Sequence, residues 1–171
     1  MFFWFFAFSA LRCCLVQADF DVMFEDVECT EFDPEYVETC ETELNYDSTY
    51  GASLDTHINI IKEFPINAKI IADMFTVQMG EYTVSIGLHV DADFCGIVEA
   101  PNSLAIPMLR SVNMDNTVCP AQPGIYGREG FVLDNLDGLP SSFPPGHYLL
   151  NMSLVNEDTV LMHIDTYIRV Y

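Results

Sequence analysis

Between residues 82 and 90 the chain alternates without a break. Tyr82, Val84, Ile86, Leu88 and Val90 are apolar, and Thr83, Ser85, Gly87 and His89 stand between them. A period of two places one set on each face of a β-strand. The pattern returns near the C-terminus. Tyr148, Leu150, Met152 and Leu154 alternate through residues 147–155, and Val160, Met162, Ile164, Ile168 and Val170 through residues 159–171. Asn156-Glu157-Asp158 supplies the turn between these two runs, and Gly80-Glu81 marks an earlier one. Further strand-like runs cover residues 20–29, 36–44, 57–62, 68–79 and 124–133. Many short strands with Gly and Pro turns and little helix specify an all-β, antiparallel sandwich.

One segment departs from this pattern. Between residues 93 and 114, Pro101, Asn102, Ser103 and Pro107 break any strand, while Leu104, Ile106, Met108 and Leu109 form a short apolar cluster. The expectation here is one or two helical turns packed over an opening of the β-structure.

Residues 1–18 read as a secretory signal. The run Met-Phe-Phe-Trp-Phe-Phe-Ala-Phe is strongly apolar, and Val16-Gln17-Ala18 offers modest side chains for cleavage. Arg12 interrupts the apolar stretch, which is shorter than the ~20 residues a membrane span requires. Cleavage after Ala18 leaves residues 19–171 as a single domain. It also removes Cys13 and Cys14, leaving Cys29, Cys40, Cys95 and Cys119. An even count in an exported domain points to two disulfides. Three pairings are possible; loop closure favours the sequence-local one, Cys29 with Cys40 and Cys95 with Cys119.

The chain carries 26 acidic residues against 6 Lys and Arg, a net charge of −20. Such a surface repels phosphate backbones and anionic membranes, so nucleic acid and stable membrane insertion are excluded as partners. Twelve of the acids lie between Asp19 and Asp47 with no basic residue among them, which reads as a solvated face.

The residue types that carry chemistry are not arranged for it. His57, His89, His147 and His163 share no metal-ligand spacing, and His89 and His163 fall on polar strand faces, as surface or hydrogen-bonded structural histidines. There is no G-x-S-x-G, no H-E-x-x-H and no glycine-rich phosphate loop. Asp91 and Asp93 form only a fragment of a calcium loop. With four cysteines assigned to bridges, no thiol remains as a nucleophile. The expectation is a non-enzymatic protein without a cofactor or metal. Asn151-Met152-Ser153 is an N-glycosylation sequon, with Asn151 alternating outward.

Several motifs carry a resemblance. They are Phe24-x-x-Val27-Glu28-Cys29, Cys40, Asp93-Phe94-Cys95, Asn116-x-x-Cys119-Pro120, Gly124-x-Tyr126, Leu139-Pro140 and Pro145-Gly146-x-Tyr148. Together they make the region after residue 18 similar to a large insect family of secreted proteins related to the ganglioside activator protein and the ML lipid-recognition superfamily. The resemblance implies a β-cup, a splayed sandwich whose cavity holds an acyl chain or similar ligand. It also implies a Cys95–Cys119 bridge near the mouth. Some insect members are associated with chemosensory tissue. The chain has fewer cysteines than the ganglioside activator and is far more acidic, which suits a soluble extracellular carrier or sensing accessory better than a presenter of glycolipids.

The expected ligand is therefore a small hydrophobic molecule or lipid. Expected cavity walls are Tyr82, Val84, Ile86 and Leu88 on one sheet and Phe131 and Leu133 on the other, with Leu104, Ile106 and Met108 at the rim. The rival reading is a protein-interaction module with a filled interior, acting on a receptor or a lipid hydrolase.

Overall fold

Alternation builds two antiparallel sheets of unequal width. The structure is a computed structural model and describes residues 20–47, 51–99, 106–133 and 143–171. The strands in chain order are β1 (Val22–Phe32), β2 (Val37–Asp47), β3 (Gly51–Ile60), β4 (Lys69–Gln78), β5 (Glu81–Asp93), β6 (Gly124–Tyr126), β7 (Gly146–Asn156) and β8 (Thr159–Val170). Two short helices, α1 (Phe94–Glu99) and α2 (Ile106–Ser111), lie between β5 and β6. The larger sheet has the order β1-β8-β7-β4-β5 and the smaller one β2-β3-β6. The protein is an all-β sandwich.

In β8, Met162, Ile164, Thr166, Ile168 and Val170 are buried, and His163, Asp165, Tyr167 and Arg169 occupy the other face. In β3, Ala52, Leu54, Thr56, Ile58 and Ile60 point inward. These two faces, with Phe24, Val27, Ile70, Met152 and Leu154, form one buried cluster. Turn chemistry sets the registers. Met79 and Gly80 both have positive φ, 53° and 88°, as a tight hairpin between β4 and β5 requires. Glu157, at φ 54°, does the same between β7 and β8, where Asn156 pairs with Thr159.

Some boundaries differ from the sequence reading. The strand expected over residues 57–62 begins at Gly51, because Asp55 and Thr56 hide an inward alternation that starts at Ala52. The strand expected over residues 124–133 shrinks to Gly124–Tyr126, with Phe131 touching Leu54 in an isolated bridge.

The helical segment takes the place of strands that the smaller sheet lacks. Phe94, Leu109, Val112 and Met114 pack with Ile70, Met152, Leu154, Met162 and Ile164 of the larger sheet. The Thr56 hydroxyl donates to the Ser111 carbonyl at 2.7 Å, which ties the segment to β3. Cys95 in α1 is bonded to Cys119. The other disulfide, Cys29–Cys40, with a Cα–Cα distance of 6.0 Å, joins β1 of one sheet to β2 of the other.

Gly127 marks the closest backbone approach. A Cβ there would stand 2.0 Å from the Thr56 carbonyl oxygen, and φ is 140°. That approach lets Arg128 and Thr56 exchange hydrogen bonds: the Thr56 N–H donates to the Arg128 carbonyl, and the Arg128 N–H to the Thr56 hydroxyl. Gly127→Ala is expected to cost about 2–3 kcal/mol of stability through this overlap, read by chemical denaturation. Replacing both Cys29 and Cys40 by Ser is expected to cost about 2–4 kcal/mol in the same assay, since the unfolded chain regains its loop entropy.

Candidate functional site

Between the larger sheet and the helical segment lies a cavity lined by Ile70, Phe94, Leu109, Val112, Met114, Met152, Leu154, Met162 and Ile164. Every lining side chain is apolar, and three are methionines. The open space is about 20 Å³, room for about one water and not for an acyl chain. β4, β7 and β8 supply one wall through their inward positions. The helices supply the other, with Phe94 from α1 and Leu109 from α2.

The expected wall residues lie elsewhere. Tyr82, Val84, Ile86 and Leu88 are all on β5, the edge strand of the larger sheet, and none lines this cavity. Two irregularities break the alternation of β5. Thr76 and Val77 are adjacent, yet they pair with Val84 and Tyr82; Asp73 and Phe75 pair with His89 and Ser85, which brackets Gly87 at φ 80°. Each inserted residue rotates the following side chains to the other face. Tyr82 consequently lies on the outer face against Tyr167, ring centroids 5.2 Å apart. Val84 and Ile86 are 38% and 36% exposed, and Leu88 is half-buried against the core.

The other expected contributors divide three ways. Phe131 is a core plug: it exchanges backbone hydrogen bonds with Leu54 and packs on Phe24, while Leu133 is half-buried beside the cluster. Met108 is buried in the core rather than standing at a rim, because the smaller sheet leaves that part of the larger sheet uncovered. Ile106 begins α2, and Leu104 lies outside the described residues, as do residues 1–18. This cavity is lined mainly from the alternations in β7 and β8, which the sequence displays, from Leu109 of the apolar cluster, and from Val112 and Met114, which no periodicity marked.

A polar network covers the outer face of β7 and β8. Ser153 Oγ is 2.8 Å from His163 Nδ1, His163 Nε2 is 3.2 Å from Asp165 Oδ1, and Asn151 Nδ2 donates to Asp165 Oδ1 at 2.9 Å. One tautomer satisfies all three contacts, with Ser153 donating to Nδ1 and Nε2–H donating to Asp165. The connectivity is that of a nucleophile, base and orienting acid. However, β7 is paired on one side with β4 and on the other with β8, so ladder bonds occupy the backbone N–H groups around Ser153. An acyl-transfer site needs such donors free to hold an oxyanion. The network therefore braces two strands. Asn151 faces outward, but its amide nitrogen is engaged as a donor to Asp165.

Two more histidines bridge the same sheet: His89 Nδ1 lies 2.8 Å from Asp73, and His147 Nδ1 lies 2.7 Å from Glu25. A separate open groove of about 420 Å³ is lined by Glu41, Thr42, Glu43, Asp55, Thr56, His57 and Glu129. Among the described residues no three His, Cys, Asp or Glu side chains stand together as metal ligands, and no helix is long and apolar enough to cross a membrane. The chain matches no protein-family model and no curated protein.

Burial raises the phenols of Tyr82, Tyr148 and Tyr167 above the ordinary tyrosine range. The Glu25 carboxylate adds to the shift at Tyr82, and Asp165, Glu28 and Asp26 add to it at Tyr167. The folded chain thus holds these protons after the unfolded chain has released them. Their contribution to stability is complete below pH ~10 and is lost as pH rises through the folded-state values. Ultraviolet titration is expected to show part of the tyrosine absorbance ionising above pH ~10, with denaturant midpoints falling over the same interval.

Proposed function

We propose that this protein is a secreted, non-enzymatic carrier or sensing accessory that binds a small hydrophobic molecule between its larger sheet and its helical segment. The observation that carries the reading is the cavity itself. Nine apolar side chains converge there with no polar group among them, and three are methionines, whose unbranched side chains adapt to irregular partners. Burial of ligand and wall would supply ~25 cal/mol per Å² of apolar surface. The similarity of the cysteine and Pro-Gly motifs to the ML lipid-recognition superfamily agrees with this reading. Two disulfides fit an oxidising compartment, and the apolar N-terminal run fits export.

Because the cavity holds only about 20 Å³, binding requires the walls to separate. The helical side is the one that yields. Each helix spans 6 residues, and among the described residues the segment is tied by one disulfide and a few hydrogen bonds, whereas the opposite wall is three fully paired strands. The same small volume favours a second reading, a protein-interaction module with a filled interior that acts on a receptor or a lipid hydrolase.

Native mass spectrometry and titration with an apolar fluorophore separate the two. The carrier is expected to take up one fluorophore per chain, saturably, and to gain ~2.7 kcal/mol of stability at ligand concentrations near a hundred times Kd. Protein that stays ligand-free and leaves the fluorophore dark overturns the carrier and selects the interaction module.

A further inference from the structure

Three polar side chains are buried among the described residues: Thr56, Ser111 and Thr166. Two are fully employed. Thr56 donates to the Ser111 carbonyl and accepts from the Arg128 N–H, and the Ser111 hydroxyl donates to the Met108 carbonyl at 2.7 Å. Thr166 differs from both. It is 0% exposed, and its Oγ1 makes no hydrogen bond among the described residues.

Its surroundings explain why no partner is at hand. Thr166 occupies an inward position of β8, with Ile164 and Ile168 at the neighbouring inward positions. Its cross-strand partners are Leu150 in β7 and Val27 in β1. All four are apolar. A lone hydroxyl in such a place is destabilising, and valine would fill the same shape without the penalty. Ile164 and Met162, the preceding inward residues of β8, line the cavity. Thr166 is the next inward position of β8 after Ile164 and does not itself line the cavity, so a ligand reaches it where the widened interior extends past Ile164.

We propose that the Thr166 hydroxyl is the polar anchor of the apolar site. The ligand it selects is a mostly hydrocarbon molecule carrying one uncharged oxygen function, such as an alcohol, ketone or ester. A threonine hydroxyl donates to a carbonyl oxygen and accepts from an alcohol, so either class supplies a bond that the chain itself does not make. A pure hydrocarbon leaves the hydroxyl orphaned. An ionised fatty acid would bury a charge that a single hydroxyl cannot offset. This inference rests on the reading of the interior as a ligand site and names its chemical class.

The test uses the full chain, Thr166→Val and Thr166→Ser, with a long-chain ketone and an alkane of equal length competing against a bound apolar fluorophore. Thr166→Val is expected to raise the ligand-free Tm and to weaken the ketone by about fivefold to tenfold, the worth of one neutral hydrogen bond. The alkane is expected to bind Thr166→Val as tightly as the unaltered chain or more tightly, and Thr166→Ser is expected to retain the ketone. Equal effects on ketone and alkane, or a Thr166→Val chain less stable than the original, overturn the anchor while leaving the carrier reading in place. If neither probe nor fluorophore binds the unaltered chain, the carrier reading fails and the anchor fails with it.

Discussion

The whole arrangement follows from a mismatch in width. Five strands present an apolar inner face that three strands cannot cover. An uncovered sheet face would expose the row formed by Ile70, Met152, Leu154, Met162 and Ile164 to water, and the chain has to supply something other than a strand to close it. It does so with the helical segment after β5. Once that segment is accepted as a wall, the Cys95–Cys119 bridge, the Thr56–Ser111 hydrogen bond and the buried positions of Met108 and Leu109 are all ways of fixing it in place.

A wall of that kind packs differently from a paired strand. Strands are held by ladders that satisfy every backbone group, so their faces are rigid. Two six-residue helices have few internal bonds and rely on side-chain contact and a covalent tie. The cavity forms at this seam between a rigid wall and a softer one. Methionines concentrate there, which is where shape has to be filled without a regular partner.

The sandwich was legible because its central strands obey a period of two. The inward sets of β7 and β8 carried that signal well, with Met162, Ile164, Ile168 and Val170 all buried. The strongest alternation in the sequence lies away from the cavity. Tyr82 through Val90 formed a strand, but an edge strand with two interruptions, and bulges are set by pairing partners that a single sequence does not display. Gly87 was the only local hint, since a strand-interior glycine at positive φ accompanies such a bulge. The helical wall was half legible. Proline breaks and an apolar cluster announced it, but whether Met108 stood at a rim or in the core depended on how many strands the opposite sheet would have. Thr166 was invisible as a polar anchor, because one threonine in an apolar strand is unremarkable until its lack of a partner is seen.

The Cys29–Cys40 bond has a mechanical meaning that neither sheet alone reveals. β1 ends the row of strands in the larger sheet, and β2 ends the row in the smaller one. A covalent stitch between those two ends works like the spine of a book, with the sheets as its covers. They cannot part along that margin. Any widening of the interior therefore falls on the far side, where the helical segment closes the larger sheet, and the molecule has a built-in direction in which to open.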